Sequence, residues 1–421
     1  MSSPMPKPKD AMSLDDALAR LVAGAAAHLI VEHETVSTFD ALGRVLAADV
    51  CSLLDVPPED NSAMDGYALR AADVAAAGAV LPLSQRIAAG SVGSALAAGT
   101  AARIFTGAQV PAGADAVVPQ ELCEAQPGEG LGAVRVNAVP KPGQSVRRRG
   151  EDVSRGAVVL RRGARLTPQA LGMAASVGAG ELSVVRRPRV ALFSTGDELM
   201  MPGDPLRPGA IYNSNRFTLR GLLQAAGCSV HDLGIVPDQL QATRDALCMA
   251  AQDNDLIVTC GGVSVGEEDH LRPALQAEGR LELWQIAIKP GKPLAFGEVR
   301  RAAAPGTAAL FIGLPGNPVS SFVTFLLTVA PVLRVLQGAS GVLPAGLPLR
   351  ADFDWPRPDR RREFLRVQVN AGGGLDLFGN QGSGVLSSAV WADGLVDNPA
   401  GQAIRAGDSV RFLPLADLIA R

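Results

Sequence analysis

The sequence predicts a multidomain protein of α/β plus β class: a central doubly wound domain with a mostly parallel sheet, a β-rich inserted domain ahead of it, and a small β-barrel-like C-terminal domain. Three features predict it. Apolar runs alternate with helical periodicity through residues 186–337, the pattern of βαβ units whose sheet is covered on both faces. Residues 56–146 instead carry short apolar runs (101–105, 116–118 and 133–136) separated by Gly and Pro, as in a compact β insertion. After the Gly/Pro-rich linker 338–348, short strand patterns are punctuated by turns such as Gly372-Gly373-Gly374.

From the N-terminus, residues 1–10 are rich in Pro and Lys and lack the apolar core of a signal peptide, so they read as a short disordered lead. Ser13-Leu14-Asp15-Asp16 has the form of a capping box, in which Ser13 accepts from first-turn amides and Asp16 reaches back. The helix it opens runs to about Ala27, and a second helical pattern ends near Ala48. Helical periodicity returns over 167–177, so 11–55 and 147–185 are expected to form one discontinuous domain around the insertion. In the central domain, strands are expected at 190–193, 229–235, 256–259, 283–288 and 309–312, with helices at 215–226 and 239–251. The apolar stretch 322–336 is interrupted by Pro331 and Arg334 and falls short of the ~20 residues that span a bilayer, so it reads as a core helix. Residues 345–421 make the C-terminal β domain.

Composition narrows the function classes. At 421 residues and 47% hydrophobic content the chain supports several cores. Its 39 basic against 42 acidic residues leave a net charge of −3, which gives no global attraction to nucleic acid or to an anionic membrane. Any anion must be met locally. The five cysteines are odd in number and never form a CxxC pair, which argues against a disulfide framework or zinc knuckle and for a reducing, cytoplasmic compartment.

Local chemistry concentrates at the expected carboxyl ends of strands, where an open α/β sheet binds its ligands. Gly261-Gly262-Val263-Ser264-Val265-Gly266 follows one strand and precedes Glu267-Glu268-Asp269; its glycines let amides approach an oxyanion, and a helix starting near Gly266 would direct its positive end there. Ser194-Thr195-Gly196-Asp197-Glu198 pairs hydroxyls with carboxylates after the preceding strand. Lys289-Pro290-Gly291-Lys292-Pro293 presents two ammonium groups on a stiff turn, and Pro315-Gly316-Asn317-Pro318 opens a helix with Pro318 in its first turn. Each loop alone is also an ordinary strand-to-helix turn; their recurrence at four strand ends carries the reading. Carboxylates beside a phosphate site repel the ligand, so Glu198, Asp238 and Asp269 make sense if a hard divalent cation such as Mg²⁺ lies between them. A second cluster, Asp60-Asn61-Ser62-Ala63-Met64-Asp65-Gly66-Tyr67 with Arg147-Arg148-Arg149-Gly150-Glu151-Asp152, reads equally as an exposed turn with a solvated basic run.

Taken in order, DNSAMDGYA from Asp60, TGA-V-P from Thr106, RRRGED ending at Asp152, STGDEL from Ser194, GGVSVGEED from Gly261, IKPGKP from Ile288 and LPGNPVS from Leu314 span nearly the whole chain. Looser motifs follow at Arg361-Arg362-Glu363-Phe364 and Gln381-Gly382-Ser383-Gly384. The sequence resembles the molybdopterin molybdenumtransferase family, the MoeA proteins and gephyrin E-domains. That resemblance implies a MogA-like molybdopterin-binding central domain and an Mg²⁺-dependent insertion of molybdate into adenylylated molybdopterin with release of AMP. Carried onto this chain, it places Asp238 and Asp269, with Glu198 in support, on metal and pyrophosphate, and Lys289 and Lys292 on developing anionic charge. Thr195, Gly196, Gly261, Gly262, Ser264, Gly266, Pro293, Pro315, Gly316, Asn317 and Pro318 become substrate contacts, and Arg361 and Ser383 fall on the molybdate side. The family's elongated homodimers imply a cleft shared between subunits, into which Asp60 and Asp152 reach from the partner copy. Handover to or from a molybdopterin adenylyltransferase and apo-molybdoenzymes is a further implied partnership. Two rival readings are that adenylyltransferase itself, which resembles the central domain alone, and a gephyrin-like scaffold.

Overall fold

The computed structural model describes residues 11–262, 270–341 and 345–420. Its centre is a six-stranded sheet in the order Ser229–Val236, Arg189–Thr195, Leu256–Cys260, Ala308–Leu314, Pro293–Arg300, Gly279–Gln285. The first four strands are parallel; the last two join antiparallel. Parallel pairing needs a crossover of about a dozen residues or more, and only residues 286–292 and 301–307 connect these last strands, so they return as hairpins.

Side chains alternate across the sheet and bury it on both faces. Val190, Leu192, Leu256, Val258, Leu310 and Ile312 point to one core, while Ala191, Phe193, Ile257, Ala309 and Phe311 point to the other. The first core is covered by Ser214–Ala225 and by a helix running from Pro318–Thr324 through a wide turn Phe325–Val329 to Ala330–Leu336. Of its 19 residues, all but the half-buried Pro318 are buried. The wide turn comes just before Pro331, which has no N–H for the preceding turn and clashes with a regular helical carbonyl. Leu240–Asp253 and Leu271–Glu278 cover the second core. The helix expected near Gly266 begins, among the described residues, at Leu271.

The first helix, Leu14–Ala26, is capped as expected at Ser13, whose Oγ accepts from the Asp16 amide at 3.1 Å. Asp16 completes the cap differently, accepting from the Ser13 hydroxyl at 2.7 Å. Its buried Leu14, Leu18 and Leu21 share the core of the central sheet, whereas the rest of 11–55 packs with 147–185. The second helical pattern is absent. His33–Ser37 is a strand paired with Glu181–Val185, because β-branched Thr35 and Val36 suit a pleated ladder that a nearby strand completes.

The insertion is a six-stranded sheet over its own core, with Ala101–Ile104, Ala116–Pro119 and Ala133–Val136 among its strands. The C-terminal strands pair in the order Arg362–Val369, Gly394–Asn398, Ser409–Pro414, Leu347–Arg350, and a bridge from Ala351 to Leu375 returns the ladder to the strand beside Arg362–Val369. The result is barrel-like. Its free edge recruits Ile288–Lys289 in parallel, splitting the run expected at 283–288 between two sheets.

Candidate active site

A cleft of about 760 Å³ opens at the carboxyl ends of the strands Arg189–Thr195, Leu256–Cys260 and Ala308–Leu314. Thr195, Gly196 and Glu198 form one wall. Gly196 has φ +144°, and a Cβ there would lie 2.5 Å from the Glu198 carboxylate, so glycine alone lets that carboxylate fold over the turn. Gly261 and Gly262 form the next, with φ of +92° and +64°. The Gly261 amide is engaged by the Leu314 carbonyl at 3.2 Å, so it is not the open donor that the glycine loop suggested. Ser264, Gly266 and Asp269 lie outside the described residues. Pro315, Gly316, Asn317 and Pro318 supply the third wall, and Asp238, just past Ser229–Val236, the rim beside the first, where its amide donates to Asp197 Oδ1 at 3.4 Å.

Lys289, Lys292 and Pro293 enter from the antiparallel side of the sheet, and Arg361 and Ser383 from the C-terminal domain. The two lysines differ. Lys289 Nζ lies 3.2 Å from Glu363 Oε1 and 3.5 Å from Asp359 Oδ2, whereas Lys292 is exposed and, among the described residues, forms no ion pair. Arg361 donates to both Asp359 oxygens, from Nε at 3.0 Å and Nη2 at 2.9 Å. Hydrogen bonding from that guanidinium holds the Asp359 carboxyl well below the usual carboxylate range.

Several lining residues carried no strong local signal. Ser194 and Asn213 are buried, and among the described residues Ser194 Oγ and Asn213 Nδ2 have no hydrogen-bond partner. Asn213 Oδ1 is occupied capping Ser214–Ala225 through the Arg216 amide, which fixes the amide group with its donor unspent. Orphaned buried donors are rare enough to mark a ligand contact. Cys260 also lines the cleft, but burial pushes its thiol pKa up, leaving it protonated.

Asp60 and Asp152 do not line this cleft. They belong to a second assembly, in which Asp60 accepts from Arg148 Nη1 at 2.6 Å and from the Arg149 amide at 2.8 Å, while Asp65 accepts from the Thr106 amide and hydroxyl at 2.8 and 2.7 Å. Three motifs distant in sequence thus converge, and the exposed turn and basic run are bonded to each other. The amide of Arg149 and the guanidinium of Arg148 lower the Asp60 pKa, and the Thr106 amide and hydroxyl lower that of Asp65. Asp152 sits beside this group, its amide donating to the Val56 carbonyl.

Three family models match consecutive parts of the chain: the MoeA N-terminal region (domains I and II) over residues 12–178, a probable molybdopterin binding domain over 191–335, and the MoeA C-terminal region (domain IV) over 348–415. A molybdopterin molybdenumtransferase of Haemophilus influenzae is 38% identical over 90% of this chain and 93% of its own length. The chain belongs to the molybdopterin molybdenumtransferase family. A relative of that name from Nostoc is 35% identical over 91% of this chain and 88% of its own. The solved MoeA protein of Pyrococcus horikoshii superposes with a TM-score of 0.80 at 29% identity, covering 96% of this chain and 99% of that one. The sequence predicts a metal among the cleft's carboxylates. Glu198 and Asp238 line it, but among the described residues no group of three or more His, Cys, Asp or Glu is placed to hold an ion.

Proposed function

We propose that this transferase inserts molybdate into adenylylated molybdopterin and releases AMP, as its family membership implies. The observation that carries the reading is the composition of one cleft: two lysines and an arginine facing two carboxylates across the glycine turns, with two unspent buried donors between. Cations of that density suit a ligand with pyrophosphate and a tetrahedral oxyanion, whose charge they stabilise in a partly dehydrated setting. Lys292 is exposed and, among the described residues, forms no ion pair, which suits it to meet the ligand's charge. Ser194 and Asn213 offer neutral donors that orient it.

Glu198 and Asp238 are the described side chains that would hold Mg²⁺, with Asp269 the third carboxylate expected from the sequence. Bound there, the ion would supply neutralising charge to the pyrophosphate. The reading includes a homodimer in which the assembly around Asp60 and Asp152 faces the partner's cleft; its support is that the Asp60 carboxylate is held in a built cluster, with Asp152 alongside it in the chain fold, away from the cleft of their own chain. A reducing cytoplasm suits five free cysteines. The test is to incubate the protein with adenylylated molybdopterin, Mg²⁺ and molybdate and follow AMP. Molybdate-dependent AMP release is expected; ATP consumption with unmodified molybdopterin, and no response to molybdate, would overturn it in favour of adenylyl transfer.

A further inference from the structure

The C-terminal domain contributes more to the cleft than Arg361 and Ser383. Ile288–Lys289 is paired in parallel with Arg362–Val369, in register Ile288 to Arg362 and Lys289 to Glu363, so the lysine that faces the cleft is hydrogen-bonded at its backbone to another domain's sheet. Glu363 is 1% exposed. Its Oε2 accepts from Trp355 Nε1 at 2.8 Å and from the Asp359 amide at 3.0 Å, which fixes the carboxylate; its Oε1 forms an ion pair with Lys289 Nζ at 3.2 Å and, among the described residues, accepts no hydrogen bond. Asp359 stands between the two cations, 3.5 Å from Lys289 Nζ and doubly bonded to Arg361. Arg361 is tied in turn to the lysine strand through Ile288 O at 3.4 Å.

We propose that Glu363 and Asp359 are positioning residues that hold Lys289 and Arg361 together as a two-cation clamp for a small oxyanion in the C-terminal half of the cleft. Donor arithmetic supports a clamp over mutual neutralisation. Arg361 has five N–H groups; its Nε and one N–H of Nη2 go to Asp359 and one N–H of Nη1 to Ile288 O, which leaves two. Lys289 Nζ is held by ion pairs to two carboxylate oxygens and, with three N–H groups, keeps donor capacity for a ligand. An incoming oxyanion is therefore met without breaking either pair, and the long side chains have already been ordered by buried Glu363 and half-buried Asp359 before it arrives. The carboxylates act through the cations and do not touch the ligand.

This inference rests on the molybdate reading above and is tested with molybdate as the probe, by calorimetric binding to the full-length protein. Glu363→Gln keeps an acceptor for Trp355 and places an amide where Lys289 needs an anion. It is expected to weaken molybdate binding about tenfold, the scale of one charge-assisted hydrogen bond. The deciding measurement is the cycle with Lys289→Ala: the Glu363→Gln effect should vanish in that background, since a positioning residue has nothing left to position. A merely structural glutamate gives the same loss in both backgrounds, and that result overturns the proposal. If Glu363→Gln does not fold, Asp359→Asn with Arg361→Ala asks the same question with the same two outcomes. Molybdate binding by the wild type with additive variants sinks the clamp alone, whereas no molybdate binding and no AMP release by the wild type sinks the functional reading with it.

Discussion

Lys289 and Lys292 lie on one turn, yet the fold gives them different surroundings, and the difference was invisible in IKPGKP. Lys289 is drawn against Asp359 and Glu363 by a strand pairing, while Lys292 stays exposed to the cleft. Asp359 offers a direct check through pH. Its folded pKa lies below the unfolded carboxylate value of about 3.9, so its contribution is complete above that value and is lost only as pH falls through the lower folded one. The stability difference between wild type and Asp359→Asn in urea should therefore stay constant from about pH 8 to pH 5 and shrink only below about pH 4. A difference that fades between pH 7 and pH 5 would contradict the assignment. Asn213 was missed from sequence, and Ser194 was named only as part of its loop, because an unspent donor is defined by neighbours that only the fold supplies.

At the scale of elements, local signals succeeded where a segment's structure depends on itself. Ser13 and Thr167 cap their helices as their types suggest, and Pro318 starts the long core helix. They failed where a partner decided. The residues after Leu29 alternate weakly enough to read as helix, but the strand Glu181–Val185 recruits His33–Ser37, and the barrel edge recruits Ile288–Lys289. The first helix has a similar history: its sequence shows an apolar face but not which core receives it. Gly24 marks the contact, since a Cβ there would lie 2.7 Å from Phe296 Cζ. Leu21 is fully buried in the same core, so Leu21→Ala should cost the central domain ~2–5 kcal/mol, read from the urea midpoint. A loss below about 1 kcal/mol would show that the helix packs elsewhere in solution.

For the whole molecule, the cleft gathers loops from four strand ends of the central sheet and one wall from the C-terminal domain, while the DNSAMDGYA, TGA and RRRGED motifs assemble a second group elsewhere. If that group serves the partner's cleft, Asp60→Asn and Asp238→Asn homodimers should each be inactive, and an equimolar mixture after subunit exchange should recover about a quarter of wild-type AMP release, since mixed dimers retain one intact site. Absence of recovery in mixtures shown to exchange subunits would rule out a shared site.

By itself the sequence determined the α/β core, the inserted and C-terminal β units and the loops that carry the chemistry, because hydrophobic period, caps and glycine turns act within a few residues of the chain. Only the tertiary structure decided that Lys289 is clamped by Glu363 and Asp359, that the Gly261 amide is already taken, and that Asp60 is held by Arg148 far from its own cleft. Those outcomes are choices among partners separated by tens of residues, and register, burial and competing hydrogen bonds settle them after the local elements have formed.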